Sequence, residues 1–198
     1  RYVSEGDLKV ARYRWSWEKR PNGGYVDDYS SLLELVEALN AGNASYEKEV
    51  DALVDVEQWM RIFAVRHIVG DWDGYGYDRG KNMSTYKPKD GKWKMILWDL
   101  DFSLGGGSRG ATASMFSTSD STVRRLYELP AFRRAYLRAW QDAIDGPLLD
   151  TESSPVIDAV YNAFRSNSVT ASNPSSVKSW IRSRRNYLIR ELARENAD

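Results

Sequence analysis

Cysteine is absent from this chain of 198 residues. Its absence excludes disulfide bonds and thiolate metal sites, but it does not fix the compartment, because secreted domains without cysteine also exist. The chain is rich in Trp and Tyr, with 8 and 12 residues respectively. A surface with these residues, Ser and Asn would suit an extracellular protein, and this is the location that the composition favours.

An excess of charge of one sign is also lacking, since Lys+Arg and Asp+Glu both number 28. No overall basic field therefore favours nucleic acid or an anionic membrane as a partner. No apolar run approaches the roughly 18 residues of a membrane-spanning helix. The chain opens on Arg1 without Met or a signal-like segment, so we expect it to be a piece of a longer protein.

What the chain does contain is enough apolar sequence, 42% of its residues, for the core of one domain or the larger part of one. The first 27 residues alternate in places and break at 21-PNGG-24, which predicts short strands and a turn. The alternating residues are Leu8, Val10, Tyr13, Trp15 and Trp17. Helical spacing of apolar residues then predicts helices over about 29–41, 45–54 and 55–70, the last apolar around most of its circumference.

The middle of the chain predicts a β-hairpin, with strands at 82–87 and 92–98 joined by 88-PKDG-91. The small-residue-rich loop 103–121 is predicted to be mobile or ordered by a ligand. Helices follow at 121–129, 131–145, 155–166 and 173–195, the third with Ser154 as cap and Pro155 at its first position. The fold class is therefore α+β and predominantly helical: a single domain over 1–198, with a helical lobe over 28–198 that contains the hairpin.

Two charged residues stand on apolar helical stripes. His67 is the only histidine and follows Phe63 by four residues, which favours a core histidine over a catalytic base or metal ligand. Arg184 falls within the apolar stripe of the last helix, so we expect it either to extend toward solvent or to meet a carboxylate inside.

Two acidic sites flank the predicted hairpin: Asp71 and Asp73 before it, with Asn82 opening its first strand, and Asp99 and Asp101 after its second. Because the strands are antiparallel, residues near 82 and near 98 should lie together at the open end. Carboxylates that converge with an amide in this way repel one another unless a cation lies among them. Oxygen ligands of this kind suit Mg²⁺, Mn²⁺ or Ca²⁺.

An isolated pair of acids after a strand is more often a loop start or a helix cap than a metal site. Here Trp98 and Leu100 flank Asp99 and predict its burial, which is costly without a partner. The Gly105–Gly107 triplet that follows can either cradle a phosphate with its backbone amides or serve only as a flexible linker. It matches no complete phosphate-loop pattern.

The order of helix, Asp-bearing loop, Asn, hairpin and strand-end Asp is that of the catalytic and metal loops of protein kinases. The usual kinase strings are absent, since there is no HRD and 101-DFS-103 stands in place of DFG. The strings instead resemble the CotH family, spore-coat and cell-surface proteins with an atypical protein-kinase fold. The similar stretches are 27-DDYSSLLELVEALN-40, 60-MRIFAVRHIVGDWDGYG-76, 82-NMSTYKPKDGKWKMILWDLDFSLG-105 and 178-KSWIRSRRNYLIREL-192.

The resemblance implies an atypical kinase C-terminal lobe and a role for each matching residue. Asp73 matches the Asp of the NWD-like turn and is the implied catalytic base. Asn82 is an implied metal ligand, Asp99 the main Mg²⁺ ligand, and Asp101 a second ligand or an orienting group. The sequence departs from the family pattern at Asp71, where Asn is more usual, so the exact ligand set stays open.

The implied nucleotide contacts are two lysines. Lys81 stands where the family commonly has His before the Asn, and it can still face a phosphate. Lys9 lies in a strand similar to the family's GDLYK-like strand, although an exposed strand lysine is the simpler interpretation. Kinases of this kind also use a strand-rich N-terminal lobe, and nothing before residue 27 predicts a complete one, so that lobe is expected upstream or is missing.

The implied function is transfer of phosphate from MgATP to Ser or Thr of surface or spore-coat proteins, which are then the expected partners and location. One alternative is a non-catalytic surface, adhesion or cellulosome-associated module that keeps a divalent-metal site. A lesser alternative is a haloacid-dehalogenase-type phosphatase, whose signature 95-MILWDLDFSL-104 approaches. That fold requires alternating strands and helices after the motif, and Ser103 replaces its Thr.

Overall fold

The computed structural model describes residues 3–19, 28–77 and 81–197. In these ranges the chain is predominantly helical, with eight helices and two small antiparallel sheets of two strands each. It divides into two compact units, one of residues 1–55 and 88–93 and the other of 56–87 and 94–198. None of the helices in the described ranges is long and apolar enough to cross a membrane.

The first unit begins with two short strands, β1 (Val3–Ser4) and β2 (Asp7–Leu8), followed by α1 (Val10–Ser16). The strand predicted around residues 13–17 is therefore wrong. The spacing of Tyr13 and Trp17 fits one helical turn as well as a strand, and Trp17 N donates to Tyr13 O at 2.8 Å. Tyr13 is buried, whereas Trp15 is 81% exposed. The turn predicted at 21–24 lies outside the described residues.

The rest of the first unit is a pair of packed helices, α2 (Ser30–Leu39) and α3 (Asn43–Leu53), close to the predicted ranges. Their shared core contains Leu32, Leu35 and Leu39 of α2 with Tyr46 and Val50 of α3. Trp93 joins this unit through a parallel bridge to Val54, in which Trp93 N donates to Leu53 O at 2.7 Å.

The second unit is built around α4 (Val56–Val69), which is the buried helix that the sequence predicts. Trp59, Met60 and Phe63 are at most 1% exposed. The predicted hairpin is confirmed with shorter strands, β3 (Ser84–Tyr86) and β4 (Lys94–Ile96). Gln58 of α4 holds the hairpin, because its Nε2 donates to Met95 O at 2.6 Å and its Oε1 accepts from Met95 N at 2.9 Å.

Four helices complete this unit: α5 (Ser121–Glu128), α6 (Pro130–Ile144), α7 (Asp150–Ser166) and α8 (Ser175–Glu195). The predicted start of α7 at Ser154 and Pro155 is wrong. The helix begins at Asp150, where Leu149 O accepts from the amides of the first turn, and Pro155 lies inside it. The fixed φ of Pro155 is helical, but at this position the helix loses one backbone donor and the ring crowds the carbonyl group of Thr151.

The end of α4 determines where the acidic turn, residues 71–74, begins. Gly70 has φ +76°, its amide donates to His67 O at 3.1 Å, and Asp71 N donates to Arg66 O at 2.9 Å. This pair of bonds is a Schellman motif, in which a left-handed glycine ends the helix and satisfies its last carbonyls. This motif therefore fixes the direction in which the chain leaves the helix at Asp71.

We expect Gly70→Ala to lower the free energy of unfolding by about 1–3 kcal/mol, because a side chain at this φ is strained. A Cβ at position 70 would also lie 2.9 Å from the Trp180 ring and 3.0 Å from Arg109 O. Urea denaturation of the purified chain measures the effect. Gly110→Ala is the matched control, since a Cβ there meets no atom within 4 Å. Equal stability of the two variants would contradict the prediction.

Candidate functional site

The innermost part of the site is a buried ion pair. Asp71 is fully buried, and its carboxylate pairs with the guanidinium of Arg66, which is only 2% exposed. The other carboxylate oxygen accepts from Asp73 N at 3.1 Å, which turns the chain immediately after the helix. Burial raises the pKa of the Asp71 carboxyl above its ordinary value, and the nearby Arg66 opposes that shift.

Three of the sequence-predicted site residues lie in direct contact beside this pair. Asp73 is 5% exposed, and Lys81 Nζ lies 2.6 Å from its Oδ2. Asn82 Nδ2 donates to Asp73 O at 2.7 Å and to Asp73 Oδ2 at 3.3 Å. Lys81 and Asn82 thus hold the carboxylate of Asp73, the candidate catalytic base. The positive charge of Lys81 balances the negative charge of this largely buried carboxylate.

The guanidinium of Arg66 also joins this cluster to the end of the hairpin. Its Nη2 donates to the backbone oxygen of Asn82 and, at 2.8 Å, to that of Trp98. The backbone two residues before β3 and the backbone two residues after β4 therefore meet at one nitrogen atom. This is the meeting of strand ends that the antiparallel hairpin predicts.

Asp99 and Asp101 are both exposed, so the predicted burial of Asp99 is wrong. β4 ends at Ile96 and Asp99 has φ +56°, so the alternation that would put Asp99 on the same face as Met95 no longer holds at that position. Met95 points inward at 3% exposure, whereas Trp98, three positions on, lies on the solvent side and is 56% exposed. Asp101 Oδ1 accepts from Phe102 N at 3.1 Å.

The side-chain oxygens of Asn82 and Asp99 are ligands of the chemical type that a hard divalent cation takes. The Nδ2 group of Asn82 is engaged by Asp73, which leaves Oδ1 as the acceptor, and the carboxylate of Asp99 faces solvent. Both are oxygen ligands of the kind that Mg²⁺ takes. Within the described ranges, no group of three or more His, Cys, Asp or Glu residues is arranged to hold a metal ion.

Lys9 is placed differently from the other predicted residues. It is the N-cap residue of α1 and is exposed. It belongs to the first unit, whereas Asp73, Lys81, Asn82 and Asp99 belong to the second.

The glycine triplet does not offer its amides to a phosphate. Gly105 N donates to Ser108 Oγ at 2.8 Å, Gly106 N to Ser103 O at 2.9 Å, and Gly107 N to Gly105 O at 3.1 Å. The expected phosphate cradle is therefore wrong, because all three donors are used within the loop itself.

The loop after Asp101 is anchored along its first part, contrary to the expectation of mobility. Leu104 N donates to Val69 O and Arg109 N to Gly70 O, each at 2.9 Å. Trp72 adds a side-chain anchor, since its Nε1 donates to Gly107 O at 2.9 Å and its ring lies 5.4 Å from that of Phe102. The loop is thus fixed to the end of α4 and to the acidic turn.

Arg184 does not extend to solvent, and within the described ranges it meets no carboxylate, which corrects both expectations for it. It is fully buried, and burial lowers the pKa of its guanidinium. It donates to backbone oxygens at the end of α4 and in the following loop, namely His67 O at 2.6 Å, Ile68 O at 3.1 Å, Ala111 O at 3.1 Å and Ala113 O at 2.6 Å.

His67 is a core histidine, as predicted. It is 1% exposed, with Nδ1 2.8 Å from Phe63 O and Nε2 2.9 Å from Ser117 O, and its ring stacks on Tyr77. Sequence reasoning missed Arg66 as a site residue. Its position among the basic residues of the last helical turn predicts no more than a favourable interaction with the helix dipole.

A family model described as CotH kinase protein matches residues 4–188 of this chain. No curated protein and no solved structure matches it. The match covers the acidic turn, the hairpin and most of α8, which carry the motifs on which the resemblance rests. The chain belongs to the CotH kinase family.

Proposed function

We propose that this chain carries the catalytic and metal-binding residues of a kinase that transfers phosphate from MgATP to Ser or Thr hydroxyls of a surface or spore-coat protein. The observation that carries the proposal is the contact of Asp73, Lys81 and Asn82, joined through Arg66 to the segment that bears Asp99. Phosphoryl transfer depends on positioning and on stabilisation of charge, and these residues are of the types that supply both.

Asp73 is the proposed base. The substrate hydroxyl oxygen forms a bond to the γ-phosphorus, the bond from that phosphorus to the β–γ bridging oxygen breaks, and ADP leaves. The hydroxyl proton passes to the carboxylate of Asp73. Lys81 and Asn82 hold this carboxylate in one orientation, which fixes the direction from which the hydroxyl approaches.

Asn82 Oδ1 and Asp99 are the proposed ligands of Mg²⁺, or of Mn²⁺ or Ca²⁺, with Asp101 as a second carboxylate or an orienting group. A bound divalent cation supplies positive charge that neutralises the phosphate oxygens during transfer. Lys81 and Lys9 are the proposed nucleotide contacts. An extracellular, cell-surface or spore-coat location belongs to the same proposal.

Asp73→Asn and Asp99→Asn are expected to lower phosphate transfer by at least about a hundredfold each, because one removes the proton acceptor and the other the main metal ligand. The measurement is transfer of radiolabelled γ-phosphate from ATP, with Mg²⁺ or Mn²⁺, to a protein acceptor rich in Ser and Thr. Asp90→Asn, an exposed residue of the hairpin turn, is the matched control. Circular dichroism verifies that all three variants are folded.

Wild-type activity in either site variant would overturn the proposal. Calorimetry distinguishes the main alternative: a non-catalytic module that keeps a divalent-metal site binds Ca²⁺ and gives no heat with ATP and Mg²⁺. The phosphatase alternative is opposed by the fold, because every element described after residue 101 is a helix.

A further inference from the structure

We infer that Arg66 is a positioning residue that fixes the separation of the two proposed metal ligands, Asn82 and Asp99. The inference rests on the proposed function in one respect, since it takes these two residues as the ligands. The inference gives a role to Arg66, which lies on α4, outside the two segments that carry the ligands, and which would not itself contact the metal.

The contacts of Arg66 converge on the backbone of both ligand segments. One guanidinium nitrogen, Nη2, donates to the backbone oxygen of Asn82 and to that of Trp98, the residue before Asp99. The other terminal nitrogen, Nη1, pairs with the buried carboxylate of Asp71. The guanidinium is planar and rigid, so its donors hold these three acceptors at defined positions around it.

The backbone at both ligand positions agrees with this role. Asn82 and Asp99 have φ values of +52° and +56°, in the left-handed region, which Asn and Asp adopt more often than other residues that carry a side chain. A residue other than glycine keeps this conformation where the surrounding structure holds it. A buried guanidinium bound to the adjoining carbonyl oxygens provides such a hold at both places.

Gly74 shows how closely the position of the guanidinium is defined. A Cβ at residue 74 would lie 2.0 Å from Arg66 Nη1, 2.6 Å from its Cζ and 3.0 Å from Asp71 Oδ2. The acidic turn therefore packs its backbone directly against the face of the guanidinium. A methyl group at position 74 displaces Arg66 without removing a single hydrogen-bonding group.

Metal sites tolerate little change in the spacing of their ligands, and groups that orient the ligands typically change metal affinity by about 10–100-fold when they are lost. Lysine cannot replace Arg66, because its single nitrogen lacks the fork that reaches three acceptors. Displacement of Arg66 is therefore expected to weaken metal binding even though both ligand side chains stay in the chain.

The test measures Mn²⁺ binding to the whole chain, without nucleotide, by electron paramagnetic resonance. Arg66→Lys and Gly74→Ala are each expected to raise the Kd by about 10–100-fold. Arg61→Lys, an exposed arginine of the same helix, and Gly106→Ala, whose new Cβ would meet only Ser103 O at 3.4 Å, are the controls and should bind Mn²⁺ as the wild type does.

The outcomes separate this inference from the proposed function. If wild type binds Mn²⁺ and Asp99→Asn does not, the metal site stands, and unchanged binding in folded Gly74→Ala and Arg66→Lys overturns the role of Arg66 alone. If Asp99→Asn binds Mn²⁺ as tightly as wild type, the metal site of the proposed function fails. Gly74→Ala, which keeps every polar group, decides the question if Arg66→Lys does not fold.

Discussion

Arg184→Met is expected to lower the free energy of unfolding by about 3–5 kcal/mol, because it removes the donor to backbone oxygens in the interior. Methionine fills much of the same volume but donates no hydrogen bonds. Four backbone oxygens then lose a donor: those of His67, Ile68, Ala111 and Ala113. A buried acceptor left without a partner costs about 1–3 kcal/mol. The total stays below the simple sum because His67 O still accepts from Gly70 N and because the loop partly rearranges.

Urea denaturation followed by tryptophan fluorescence measures this loss. Arg182→Met is the matched control on the same helix, because Arg182 is 52% exposed and its ion pair with Asp150 spans 3.1 Å at the surface. Exposed pairs contribute about 0–1 kcal/mol, so this control should be close to wild type. A loss below about 1 kcal/mol in Arg184→Met would show that solvent replaces the guanidinium, contrary to its burial in the structure.

Asp71→Ala is expected to cost about 3–5 kcal/mol of stability, since it leaves the buried Arg66 guanidinium without its carboxylate. The substitution also removes the acceptor for Asp73 N. Asp71→Asn should cost less, about 1–2 kcal/mol, because an amide oxygen still accepts a hydrogen bond although it carries no charge. Asparagine is also the residue that the family resemblance places at this position more often.

A second Arg–Asp pair, between α4 and α6, provides the control. Arg61 and Asp142 form an ion pair of 2.6 Å, but their side chains are 43% and 61% exposed. Asp142→Ala should therefore cost no more than about 1 kcal/mol. A double-mutant cycle of Asp71→Ala with Arg66→Met isolates the coupling of the buried pair, and a coupling no larger than that of Arg61 with Asp142 would contradict the prediction.

Much of the second unit could be predicted from the sequence, because its signals are local. The all-round apolar pattern of 56–69 predicts a buried helix, and two short apolar runs around 88-PKDG-91 predict the hairpin. From the hairpin follows the meeting of Asn82 with the end of β4, and the structure shows this meeting at Arg66.

The failures at Arg184 and at Trp98 have a common cause, which is that tertiary partners decided the outcome, whereas the failure at the glycine triplet is local. Arg184 lies on an apolar stripe, and the sequence does not reveal that its acceptors are backbone oxygens more than sixty residues away. The glycine triplet has the composition of a phosphate loop, but Ser103 and Ser108 engage its amides. The exposure of Trp98 depends on which face of β4 meets α4, and the flanking residues do not determine that.

The long sequence separation between α4 and the guanidinium of Arg184 has a consequence for the order of events during synthesis. Ile68 O and Arg184 are 116 residues apart, so ribosomes working at about 5–20 residues per second make the arginine roughly 6–23 s after the helix that it completes. Until then the carbonyl group of Ile68 lacks this donor and is hydrated, whereas that of His67 already accepts from Gly70 N. The nascent chain can therefore form its buried helix early, whereas the loop beside the acidic turn acquires its final anchor only when the last helix has been translated.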